Sequence, residues 1–97
     1  MELFIFARFH AREGSQDAVK QAIAQVVPAS REEAGCVAIH AFRATLDPRL
    51  FYIHSEWKDE AAFELHATLD HTVKFVETVE TLIDHPMEVI RTVKTEY

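Results

Sequence analysis

The opening segment, Glu2 to His10, is apolar on both sides when laid out as a strand. Leu3, Ile5, Ala7 and Phe9 fall on one face, and Phe4 and Phe6 on the other. A small antiparallel sheet normally turns one face to helices and the other to water, so a strand with no wet side calls for a second cover. The simplest supply is another copy of the same sheet, which predicts a homodimer through sheet faces.

The rest of the chain supplies the remaining elements of such a fold. Ser15 is placed to cap a helix whose apolar positions Val19, Ala22, Ile23, Val26 and Val27 keep helical spacing. Pro28 predicts a kink or restart toward Arg31 and Glu33, and Gly35 a C-terminal cap. Val37 to Arg43 alternates as a second strand, with Val37, Ile39 and Ala41 opposed to Ala38, His40 and Phe42. A turn over Leu46, Asp47, Pro48 and Arg49 joins it to a third strand, Phe51 to Trp57, in an antiparallel hairpin. Asp59 is a good N-cap for a short helix carrying Ala62, Phe63 and His66 on one side. Asp70 caps a second helix, with the stripe Val73, Val76, Val79, Leu82 and Ile83 and with His71 in its first turn; Pro86 breaks this region after His85. Met87 to Val93 is the fourth strand. The order strand, helix, strand, strand, split helix, strand is the α+β, ferredoxin-like βαββαβ pattern with an antiparallel sheet.

At 97 residues this is a single domain, 1–97, near the low end at which one core is sufficient, so association would help it. Ten Lys and Arg against sixteen Asp and Glu leave a charge of −6, and no basic run tracks phosphates or an anionic bilayer. Nucleic acid and membrane surface are therefore excluded as expected partners. A lone cysteine, Cys36, has no internal disulfide partner, and neither a secretory leader pattern nor an apolar run of about 18 residues is present. These features predict a cytoplasmic protein.

The chemistry-bearing residues concentrate between Phe51 and Phe75: Tyr52, His54, Trp57, His66 and His71. The string Glu32-Glu33-Ala34-Gly35-Cys36, the run Phe51 to Phe63 and then His66 and His71 resemble the antibiotic biosynthesis monooxygenase superfamily. The sharpest part is W-x-D-E-x-A-F-x-x-H-x-x-x-x-H from Trp57 to His71. That resemblance implies a dimeric α/β barrel, two sheets face to face with helices outside. It also implies oxidation of electron-rich phenols, anthrones or quinols by dioxygen with no metal or flavin. A haem-degrading branch carries an Asn on the first strand and a Trp on the helix; here the first strand has Ala7 and Arg8, and the helix position corresponds to His66.

His66 and His71 are the candidates for base and hydrogen-bonding groups, and Trp57, Tyr52, His54, Phe63 and Phe75 for substrate-binding walls. Each has a structural alternative. His66 could be a half-buried imidazole bonded to a backbone carbonyl, and His71 a solvated first-turn residue. Trp57 could be plain core, while Tyr52 and His54 could be buried in the dimer instead. Arg91 and Arg43 could pair with Glu56 or bind an anion. Six histidines raise the question of metal, but no HExxH occurs and His66 and His71 stand five apart, off a common helical face. His40 and His54 could converge across the hairpin without carboxylate or thiolate help, so no metal site and no cofactor are expected. The leading expectation is a cofactor-independent monooxygenase acting on a small aromatic substrate with dioxygen. Alternatives are an isomerase or lyase of a small oxygenated metabolite, or a non-catalytic dimeric stress-response or binding domain, the last holding if Phe63, Phe75 and Trp57 fill the space between helices and sheet.

Overall fold

The computed structural model describes residues 1–96. Its elements are β1 (Leu3–His10), α1 (Gln16–Arg31), β2 (Cys36–Arg43), β3 (Leu50–Trp57), α2 (Glu60–Thr68), α3 (Asp70–Glu80) and β4 (Glu88–Thr92). The strands form one antiparallel sheet in the order β2-β3-β1-β4. This is the ferredoxin-like arrangement that the element order predicts. No helix is long and apolar enough to cross a membrane.

Period-two alternation decides which side chains enter the core. Leu3, Ile5 and Phe9 of β1 and Phe51, Ile53, Ser55 and Trp57 of β3 are all buried under the helices. Phe6 is 49% exposed on the opposite face, which carries no helix, together with Tyr52 and Ile90. Phe9 stacks on Phe51 at 6.0 Å and meets Phe75 of α3 edge-on at 5.9 Å. Val19, Ile23, Val26 and Val27 of α1 complete this core, as their spacing predicts.

Several local expectations are overturned. Pro28 neither kinks nor restarts α1, which runs on to Arg31. Proline withdraws only the bond to the carbonyl of Ala24, and Ala24 and Pro28 both lie on the exposed side, where water can replace it. Ser15 stands at the N-cap but makes no side-chain bond there, and Leu69 in extended conformation, not Asp70, is the N-cap of α3. The helix therefore presents Thr72, Phe75 and Val79, while Val73 is 40% exposed. Burying Phe75 against Phe9 removes more apolar surface from water than burying Val73 would. α3 also stops at Glu80, well before Pro86, because Ile83 forms a β-bridge with Ala11 and Asp84 N donates to the carbonyl of His10 at 3.0 Å. In β2 the register shifts between Cys36 and Ala38. Cys36 packs on the core together with Ile39, and Val37, expected beside Ile39, is left 53% exposed.

Gly14, with φ of 85°, takes the left-handed turn into α1. Gly35 serves a different purpose from the expected cap, since α1 ends at the right-handed C-cap Glu32. A Cβ on Gly35 would lie 2.4 Å from the Cβ of Ala62, so the α1–β2 loop can rest on α2 only where there is no side chain. Gly35→Ala is expected to lower unfolding free energy by about 1–3 kcal/mol, the usual cost of overpacking. In an Ala62→Gly background the penalty should shrink, and urea denaturation of the four-member cycle measures the difference.

Candidate functional site

Three segments bring the polar groups of the site together. Asp59 accepts a hydrogen bond from the N–H of Ala62 at 2.8 Å, the predicted cap, and starts α2 so that His66 lies over Trp57 with ring centroids 4.4 Å apart. Leu69 then breaks the helix, and α3 begins with His71 in its first turn. The loop after α1, held against α2 at Gly35 and bonded from Lys58 N to the Gly35 carbonyl at 3.0 Å, delivers Glu33.

Glu33 Oε2 lies 2.7 Å from His66 Nδ1 and 2.6 Å from His71 Nε2. A carboxylate oxygen only accepts, so both nitrogens are donors, and the spare lone pair of neutral His66 lies on Nε2. The carboxylate is 11% exposed, as is the His66 side chain, so little water competes for these bonds. Thr72 Oγ1 is 3.2 Å from the same Nδ1. His66 Nε2 has no hydrogen-bond partner among the described residues. The five-residue spacing of His66 and His71 does not keep them apart, because they belong to two helices with a break between.

His66 borders a cavity of about 300 Å³ between sheet and helices. Ile5, Ile53, Phe63, Phe75, Val76 and Val89 supply apolar walls, and Ser30, Ser55 and Thr72 the other polar groups. Ser30 Oγ donates to the carbonyl of Val26 at 2.7 Å, and Ser55 Oγ accepts from Trp57 Nε1 at 2.9 Å. The space that Phe63, Phe75 and Trp57 were expected to fill in a non-catalytic domain is open.

Of the candidates, His66, Phe63 and Phe75 line this cavity. His71 shares the Glu33 carboxylate but borders an outer groove between α1 and α3. Trp57 is fully buried behind His66 and does not reach the cavity. Tyr52 and His54 stand on the opposite sheet face, where His54 packs on Phe6 at 4.7 Å, so the grouping of all five polar candidates into one site is corrected by strand parity. Arg91 pairs with Glu60 at 3.4 Å and Glu64 at 3.5 Å instead of Glu56, and lies over the Phe63 ring. His40 and His54 are register partners, as expected, on the side away from His66. Glu33, Ser30, Ser55 and Thr72 were not picked out by sequence reasoning. Glu33 sits inside the quoted Glu32 to Cys36 string, but only the tertiary fold assigns its partners.

A second polar cluster joins β1, the β2–β3 turn and the α3–β4 connector. His10 Nδ1 meets Asp84 at 2.9 Å and His10 Nε2 meets Asp47 at 2.9 Å. The Asp84 hydrogen bond, helped by Asp47, raises the His10 pKa; His10 holds Asp84 low, and the Arg49 N–H, then His10, holds Asp47 low. Burial pushes the Cys36 thiol up. Among the described residues, two sets place three metal-capable donor atoms within 4.8 Å of one another: Glu33, His66 and His71, and His10, Asp84 and His85.

Comparison with known proteins gives one consistent result. Residues 3–78 match the sequence profile described as antibiotic biosynthesis monooxygenase. YcnE of Bacillus subtilis (strain 168), provisionally named a monooxygenase, is 32% identical over 71 residues, which are 73% of this chain and 75% of that protein. The solved structure of PA3566 from Pseudomonas aeruginosa is 27% identical with a TM-score of 0.91, covering 98% of this chain and 95% of its own. Rv0793 from Mycobacterium tuberculosis, at 16% identity, shares the fold with a TM-score of 0.94 over 100% of this chain and 98% of its own.

The geometry generates two expectations. Long-range imidazole 15N–1H spectra should show His66 protonated at Nδ1 in its neutral form, and Glu33→Gln should erode that preference; a wild-type Nε2–H tautomer would contradict it. Ser55→Ala should cost about 1–3 kcal/mol in urea unfolding, because it strands the buried Trp57 N–H.

Proposed function

Since this chain belongs to the antibiotic biosynthesis monooxygenase family, we propose that it oxidises a small aromatic phenol or hydroquinone with dioxygen in the cavity beside His66. The observation that carries this reading is the Glu33-bound imidazole of His66 in the lining of a largely apolar space of about 300 Å³. That volume is at the lower end for small-molecule sites and suits a compact ring.

His66 Nε2 accepts the proton of the bound hydroxyl, and Glu33 stabilises the imidazolium that forms. The resulting aryl oxide is electron-rich enough to pass one electron to dioxygen. The radical pair recombines at a ring carbon bearing hydrogen, forming a C–O bond and a hydroperoxide. Loss of that ring hydrogen with cleavage of the O–O bond gives the quinone carbonyl and water, so one oxygen atom enters product and the other leaves as water. The electrons come from the substrate. Phe63, Phe75 and the aliphatic walls keep bulk water from the anion, and the Thr72 hydroxyl orients the ring oxygen.

The same reading places a second copy of the chain on the helix-free sheet face. Phe6, Phe42, Tyr52 and Ile90 are each at least 36% exposed there, a concentration of apolar surface unusual for a monomer of this size. An identical face satisfies it by two-fold pairing.

Oxygen uptake with a panel of hydroquinones and phenols, followed by 18O2 labelling of the product, tests the chemistry. One labelled atom per turnover is expected, and His66→Ala should lower kcat by about 10²- to 10⁴-fold. No turnover across the panel, or turnover indifferent to His66→Ala, overturns the reading.

A further inference from the structure

The polar cluster at the other end of the sheet is not used by the cavity, and its donor set is that of a metal site. We propose that His10, Asp84 and His85 bind one borderline divalent cation of the Zn²⁺ type, with Asp47 as the carboxylate that orients His10. This departs from the sequence expectation of no metal site, which weighed only His66, His71, His40 and His54.

His10 is held between two carboxylates. Its Nε2 lies 2.9 Å from Asp47 Oδ2, and Asp47 is itself fixed because its Oδ1 accepts from the Arg49 N–H at 3.0 Å. Both ring nitrogens face carboxylate oxygens, which only accept, so each donates; an ion that displaces the Nδ1 proton leaves the Nε2–H on Asp47 and turns the Nδ1 lone pair toward the metal. A metal-binding histidine is ordinarily held this way, with the far N–H given to a carboxylate. His85 brings its Nδ1 to 2.6 Å from Asp84 Oδ1, so the three donor atoms converge on one point from two segments of the chain. The His10 side chain is only 18% exposed, whereas His85 is 76% exposed and free to open the cluster to an incoming ion.

His10 and His85 each meet Asp84 at hydrogen-bond distances of 2.6–3.0 Å. Around Zn²⁺, with ligand bonds of about 2.0–2.2 Å in tetrahedral array, the same atoms would stand about 3.3 Å apart. Movements of several tenths of an ångström at the exposed His85 and at Asp84 supply that opening. Binding displaces the bridging protons to solvent, and water takes the fourth position. Two imidazoles and one carboxylate suit Zn²⁺, Ni²⁺ or Cu²⁺ better than Ca²⁺ or Mg²⁺, which prefer all-oxygen shells.

The Glu33, His66 and His71 set has the same donor types but lacks this support. Glu33 bridges the two imidazoles as Asp84 does at the other cluster, but no second carboxylate stands behind either ring among the described residues. At the His10 cluster the ion would clamp β1 and the β2–β3 turn to the connector that leads through Pro86 to Met87 and Val89, two residues of the cavity wall.

Zn²⁺ titration into the chelator-treated full chain, followed by calorimetry and by the d–d absorption of a Co²⁺ substitute, tests the site. One equivalent per chain is expected, lost in His85→Ala, weakened about 10- to 100-fold in Asp47→Asn, and retained in His71→Gln. Substitution at exposed His85 leaves the fold in place, which circular dichroism checks. Absence of stoichiometric binding, undiminished binding in His85→Ala, or loss in His71→Gln would each overturn the assignment.

Discussion

β1 lies between β3 and β4 and is hydrogen-bonded to both, so the direction of its side chains fixes the layering of the whole molecule. Leu3, Ile5 and Phe9 point into the helix layer and cannot be shifted by one residue without exposing all three. That register sets Trp57 opposite Leu3 and Phe51 opposite Phe9, and so determines which residues of β3 meet α2 and α3. The same alternation sends Phe4, Phe6, Tyr52 and His54 the other way. The cavity and the bare sheet face are consequences of one strand being apolar on both sides.

The cavity survives because the helix layer is interrupted at two points. Gly35 lets the α1–β2 loop approach α2 to within contact of Ala62, and the break at Leu69 lets α3 start in a new direction. Between them a carboxylate from one segment meets imidazoles from two others. A continuous helix from Glu60 to Glu80 would have sent His66 and His71 to different faces and left Glu33 without its pair of partners. Trp57 contributes from behind: its buried ring backs His66, and its N–H is tied to Ser55 within the same strand.

Features governed by local periodicity were legible in the chain. The faces of β1 and β3, the stripe of α1 and the cap at Asp59 follow from alternation, helical spacing and the hydrogen-bonding capacity of one side chain. The features missed are those in which a distant contact outweighs the local preference. The bulge beside Val37 reflects packing of Cys36 against the core, and the phase of α3 is set by Phe75 meeting Phe9. Gly35 looks like a helix terminator in isolation and proves to be a point of close approach. His66 was recognisable from its face beside Phe63, but Glu33 could not be assigned to it, because 33 residues of chain and a strand hairpin separate the two.

We propose that the uncovered sheet face is completed by an identical face. Sedimentation equilibrium of the full chain at micromolar concentration, compared with a Phe6→Lys variant, tests it most directly. The account predicts a wild-type mass of twice 11.1 kDa and a variant shifted toward the single-chain mass. A stable wild-type species of 11.1 kDa at that concentration, indifferent to the charge at position 6, would contradict it.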